Sequence, residues 1–90
     1  MQNLKTKMKA GDLIIPIFPK NHAGVCYRLY DIPDRTVFDG NHLISRKVSN
    51  KFYRGELGIL LKIDKVLNMC YIFTQKSVFG WINICNVDTV

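Results

Sequence analysis

The residues with the most chemical content lie between His42 and Arg54. Arg46, Lys47, Lys51 and Arg54 carry four positive charges there with no acid among them, and Phe52 and Tyr53 stand between the last two cations. Guanidinium and ammonium groups neutralise phosphates, and aromatic rings offer faces on which unpaired bases stack. Lys5, Lys7 and Lys9 extend the same chemistry from the N-terminal end. The pattern predicts a contact surface for nucleic acid or for an acidic partner. The plainer reading of the same residues is a solvated basic loop whose aromatic rings fold back onto the body of the protein.

Little else in the chain points to chemistry. Phosphate-binding, dinucleotide-binding and nucleophile-elbow glycine motifs are missing from the sequence. Asp31 and Asp34 are close in sequence, but Asp31-Ile32-Pro33-Asp34 reads as a turn. The three cysteines, Cys26, Cys70 and Cys85, are odd in number and too far apart for a paired thiol motif. They read as reduced thiols acting as small hydrophobes. His22 and His42 have no matching ligand pair, so no metal is expected, and no cofactor. A chain of 90 residues has little room for a catalytic pocket, and the protein is expected not to be an enzyme.

The charge is uneven. The net +6 falls wholly on residues 1–54, which hold ten Lys or Arg against four acids, whereas residues 55–90 hold three of each sign. The partner-seeking character therefore belongs to the first part of the chain. No apolar run reaches the ~20 residues of a membrane span. Leu13 to Phe18 is too short, and broken by Pro16, to be the apolar part of a secretory signal. These readings predict a soluble protein made in the cytoplasm, with no membrane contact.

The elements that must position these residues are strands. Residues 1–10 read as a basic arm and Gly11-Asp12 as a turn. Leu13 to Phe18 is a first strand with Leu13, Ile15 and Ile17 on one face, and Pro16 predicts an edge position for it or a bulge at that residue. Val25 to Tyr30 alternates as a second strand. Thr36-Val37-Phe38, Asp39-Gly40 and Asn41 to Ile44 read as a hairpin, because Asp-Gly suits the positive φ angles of a tight turn. From Gly55 onward three strands follow closely: Gly55–Asp64, Leu67–Gln75 and Val78–Ile84. A 3₁₀-type turn at Cys85-Asn86-Val87 then precedes a closing edge, Asp88–Val90. In the middle strand of the three, Met69, Tyr71 and Phe73 share one face, and Cys70, Ile72 and Thr74 the other. Apolar residues on both faces predict a central position. Gly55, Gly58 and Gly80 mark bulges or bends that curl a short sheet. Trp81 is expected to pack into the core rather than to serve as a ligand platform. The fold class is therefore all-β: one domain over residues 1–90, with an arm at 1–10 and an antiparallel barrel of about five strands over 11–90.

Three stretches carry a resemblance: Gly11, Asp12 and Leu13; Gly58, Ile59 and Ile63; and Gly80, Trp81, Ile82, Val87 and Val90. In this order they resemble an SH3-like small β-barrel, and more narrowly the short uncharacterised proteins common in tailed bacteriophages, cyanophages among them. The resemblance covers about half the chain, residues 10–18 and 55–90. The chain departs from it at residues 19–54, a long inserted loop or hairpin between the first and second barrel strands. Loops of that length tend to be functional.

The resemblance implies a non-enzymatic phage-type binding or adaptor protein. It would be a virion-associated component or a host-directed accessory factor, found in the virion or the host cytoplasm and acting by protein–protein contact. Sheet edges at Leu13–Phe18 or Asp88–Val90 would be open to a partner strand, and self-association is also open to the chain. The alternative is a sequence-tolerant nucleic-acid-binding barrel using Arg46, Lys47, Lys51 and Arg54 with Phe52 or Tyr53.

Overall fold

The computed structural model describes residues 8–20, 24–31 and 48–90. Strand β1 is Leu13–Pro16, β2 Cys26–Tyr30, β3 Val48–Tyr53, β4 Gly58–Asp64, β5 Met69–Thr74, β6 Phe79–Asn83 and β7 Val87–Thr89. A single 3₁₀ turn, Ile84–Asn86, separates β6 from β7. The seven strands form one antiparallel sheet in the order β3-β2-β6-β5-β4-β1-β7, curled into a half-barrel. There is no α-helix among the described residues. The expected Asp39-Gly40 hairpin lies outside them.

Alternation explains which side chains fill the inside of the curl. Ile14, Leu29, Phe52, Leu60, Cys70, Ile72, Ile82, Ile84 and Val87 face inward and are buried, and Met8 joins them. The two faces expected for β5 are found, with Cys70, Ile72 and Thr74 inward, and β5 is the middle strand of seven. The last third of the chain shows the elements in the order that the sequence predicts, with bounds that differ by up to three residues.

Strand β1 does not. Pro16 pointed to an edge or a bulge, yet β1 lies between β4 and β7 with no shift of register. The reason is the direction of its backbone groups. The Leu13 carbonyl accepts from Val90 N–H at 3.1 Å and Ile17 N–H donates to the Asn86 carbonyl at 2.9 Å, so odd-numbered residues bond toward β7. Pro16 is of the other parity. Its missing N–H points to the β4 side, where the ladder has already ended at Ile14↔Gly58. An interior strand accommodates proline there because no bond is lost. Its inward residues are Ile14 and Pro16, whereas Leu13, Ile15 and Ile17 lie on the outer face.

Two glycines allow the curl. A Cβ on Gly80 would stand 2.4 Å from Leu29 Cβ, so only glycine lets β2 close onto β6, where Tyr30↔Trp81 is the one register pair. A Cβ on Gly58 would stand 3.2 Å from the Phe52 ring. A bulge adds to the bend: β4 sets Leu60 opposite Ile72 and Lys62 opposite Tyr71, leaving Leu61 without an opposite number.

Side chains bridge the two ends of the sheet order. The Tyr27 hydroxyl of β2 donates to the Ile17 carbonyl just past β1. Phe18 stacks on Tyr27, with centroids 4.4 Å apart and planes within 7°. Arg54, just past β3, places its guanidinium over Phe18 at 4.2 Å and donates to the Gly24 carbonyl at 3.1 Å.

Candidate binding surface

The described part of the aromatic–basic segment that the sequence singled out, Lys51 to Arg54, does not gather its rings and cations on one surface. Phe52 is 0% exposed, its ring against Gly58 inside the curl, and has no face for a base. Its place in the stacking set is withdrawn: it alternates inward beside Tyr27, opposite it on β2. Tyr53 is exposed, but the Lys76 ammonium sits 4.2 Å over its ring. Arg54 is held over Phe18. Lys9 pairs with Asp12, at 3.7 Å, and its backbone N–H donates to the same carboxylate at 3.0 Å. Lys51 remains an exposed cation, opposite Arg28 on β2. Arg46, Lys47, Lys5 and Lys7 lie outside the described residues. The plainer reading, aromatic rings folded back on the body, thus holds for Phe52.

A different surface emerges from the register of the sheet. On its outer face Leu13, Ile59, Phe73 and Phe79 stand directly opposite one another in turn, across β1, β4, β5 and β6. At ~4.8 Å per strand this apolar row is about 14 Å long. Leu13 is 50%, Ile59 38% and Phe79 46% exposed. A second row, two residues along the strands, sets Lys62, Tyr71, Trp81 and Tyr30 in line. Beyond Tyr30, on the same face of β2, comes Arg28 with Lys51 beside it.

The rings of these rows touch. Tyr71 and Trp81 lie 5.0 Å apart at 45°, Phe73 and Phe79 4.6 Å apart at 40°, and Tyr71 and Phe79 are near parallel at 5.9 Å. Lys62 reaches 6.0 Å from the Tyr71 centroid. Trp81, expected in the core, is half-buried on this outer face and does not belong to the inward cluster. The sequence carried the signal in part, since Tyr71 and Phe73 had been placed on one face. What it lacked was the hairpin register that sets Trp81 and Phe79 opposite them.

By register the face carries Arg28, Lys51 and Lys62 against two acids, Asp64 and Asp88, the latter opposite the outer residue Ile15. Among the described residues the one ion pair is Lys9–Asp12, so Arg28, Lys51 and Lys62 have no carboxylate against them. Asp64, on the same face, is occupied in its own turn, accepting from Val66 N–H at 3.1 Å and Leu67 N–H at 3.0 Å. Glu56 is buried and accepts from Tyr53 N–H at 2.9 Å and Lys76 N–H at 3.2 Å, which ties the β3–β4 turn to the β5–β6 hairpin.

A hollow of about 460 Å³ opens beside the closing contacts, lined by Ile17, Phe18, Pro19, Tyr27, Cys85 and Asn86. Burial raises the Tyr27 phenol above its ordinary value, against a smaller pull downward from Arg54. No three His, Cys, Asp or Glu side chains among the described residues come together to hold a metal ion. None of the three cysteines is bridged to another; Cys70 is buried, Cys26 half-buried and Cys85 exposed. No helix among the described residues is long and apolar enough to cross a membrane. No family model, curated protein or solved structure matches the chain.

Proposed function

We propose that the protein is a small non-enzymatic binding or adaptor module that works by protein–protein contact through the outer face of its sheet. The observation that carries this reading is the row Leu13–Ile59–Phe73–Phe79, in register across four strands and exposed at all but the half-buried Phe73. Contiguous apolar surface of this kind on a small protein marks a contact site. Aliphatic side chains such as Leu13 and Ile59 cannot stack bases, which favours a protein partner. The neighbouring cations Lys62, Arg28 and Lys51, with no carboxylate against them among the described residues, favour one that presents acidic groups beside its apolar ones.

An SH3-like barrel of phage type, serving in a virion or as a host-directed factor, is the identity we attach to this module. Its support is the order of Gly11-Asp12-Leu13, Gly58-Ile59 and Gly80-Trp81-Ile82 on a curled antiparallel sheet.

The test replaces Ile59 and Phe79 together by Glu. Both are exposed, so the circular dichroism spectrum should not change. Affinity capture from the cells in which the protein is made should retain a protein with the wild-type chain and lose it with the variant. Identical retention by both chains would remove the reading.

A second reading has its own observation. Tyr71 and Trp81, flanked by Lys62, Arg28 and Lys51, also suit a single nucleic-acid strand. Binding of a short oligothymidylate, followed by Trp81 fluorescence, should then weaken steeply with salt. An unchanged Trp81 signal at low salt excludes it.

A further inference from the structure

We propose that each edge of the sheet is blocked to an added strand at one end, Asp88 capping Thr89 of β7 and Glu56 capping Tyr53 of β3, so that the acidic, apolar partner is taken on the outer face by side chains. This deepens the proposed function and rests on its reading of that face as the contact surface.

At the β7 edge, Ile17 N–H donates to Asn86 O and Val90 N–H to Leu13 O. These bonds fix the alternation of the antiparallel ladder: Asp88 turns its backbone groups to β1, and Val87 and Thr89 turn theirs outward. Both outward donors are already taken. Val87 N–H donates to the Ile84 carbonyl as the cap of the 3₁₀ turn, and Thr89 N–H donates to Asp88 Oδ1 at 2.8 Å. The strand is also only three residues long, and short edges resist pairing.

At the β3 edge, Arg54 N–H donates to the Val25 carbonyl at 2.8 Å, so Phe52 bonds to β2 while Lys51 and Tyr53 face outward. Both outward groups of Tyr53 are used by one residue: its N–H donates to Glu56 Oε1 at 2.9 Å, and its carbonyl accepts from Glu56 N–H at 3.0 Å. Lys51 brings an exposed cation to the position beside it, and a charged lysine on an edge repels a second copy. An incoming strand needs donors and acceptors in alternation. It would find the donors of Val87, Thr89 and Tyr53 occupied.

The test is amide hydrogen exchange by NMR on the isolated chain, comparing wild type with Asp88→Ala and Asp88→Asn. Thr89 should exchange roughly tenfold faster in D88A, the loss expected for one hydrogen bond. D88N should restore the wild-type rate, because its amide oxygen still accepts. In the wild type, Thr89 and Lys51 exchange should not change with protein concentration. Equal Thr89 rates in wild type and D88A would overturn the guard at β7. Protection of Thr89 or Lys51 that grows with concentration would overturn the block at its edge. Neither readout needs the partner, so failure here leaves the outer-face reading standing; that reading falls only with the Ile59→Glu, Phe79→Glu capture.

Discussion

The guanidinium of Arg54 lies 4.2 Å from the ring centroid of Phe18, and through this contact the end of β3 is fastened to the chain leaving β1. Phe18 is stacked in turn on Tyr27 of β2, whose hydroxyl donates to Ile17. The half-barrel is held at this place by a cation, two rings and a phenol rather than by a ladder. Arg54, read from sequence as a ligand-contacting cation, has a structural role.

Arg54→Ala should therefore lower stability by about 1 kcal/mol, the scale of a partly exposed cation–π contact, and shift the melting temperature down by about 4–8 °C. Arg54→Lys should recover part of that loss. Thermal unfolding followed by circular dichroism measures both. A variant as stable as wild type would show that the contact contributes nothing.

Tyr27 makes the same place sensitive to alkali. Its phenol titrates above its unfolded value because burial disfavours the phenolate, a shift that Arg54 only partly opposes. A proton held more tightly by the folded chain stabilises the fold below about pH 10, the unfolded value. Above it the unfolded chain releases the proton first, so stability falls as pH rises through the folded value. Urea midpoints taken from neutral pH to above pH 10 should decline at the alkaline end, and Tyr27→Phe should flatten the decline. A slope identical in Y27F would assign the titration to other groups.

Gly80→Ala places a methyl 2.4 Å from Leu29 Cβ, in a spot closed by side chain and backbone alike. Overpacking of this kind costs about 1–3 kcal/mol, here by forcing β2 away from β6. The double variant Gly80→Ala, Leu29→Ala should cost less than the two single changes added together, because the clash partner has been removed. Strict additivity in urea unfolding would mean that the two residues do not meet.

Glu56 offers a cleaner separation of charge from geometry. Its two oxygens take the N–H groups of Tyr53 and Lys76, and its side chain is buried. Glu56→Ala strands the Tyr53 N–H, at about 1–3 kcal/mol where water cannot replace the carboxylate, and weakens the hold on Lys76 N–H, which keeps Thr74 Oγ1 at 3.2 Å. Glu56→Gln keeps one acceptor and should lose about half as much. Unfolding free energies of E56A and E56Q that coincide would contradict the two-acceptor arrangement.

Legibility followed the range of the interactions. Strands β4 to β6 could be read because each is paired to a near neighbour in sequence, and alternation with turn residues describes such hairpins completely; β7, whose partner is the distant β1, was legible only as a short β-prone run after a turn. Pro16 misled because the rule for proline in sheets concerns where its missing N–H points. That depends on β4 ending at Gly58, more than forty residues away. Phe52 left two readings open, a ring that stacks bases or one folded back on the body, and it is the register opposite Tyr27 that turns it inward. Tyr71 and Phe73 were placed on a shared face correctly, but which face was outward was set by the curl, and the curl by contacts between Gly80 and Leu29. The apolar and aromatic rows each cross four strands, and a single segment shows only its own part of them, as Tyr71 and Phe73 do in β5.

The bulge at Leu61 has a consequence for how such a chain can change over generations. Leu60 points inward and Lys62 outward, with Leu61 filling no position opposite β5. Strand β4 therefore carries one residue more than its partner has places for. Loss of a single codon at position 61 would straighten the strand yet leave Lys62 still opposite Tyr71 and Ile63 opposite Cys70. The same loss within β5 would turn half of its side chains over. Lineages of this protein should tolerate length variation at Leu61 and almost none across Met69–Thr74.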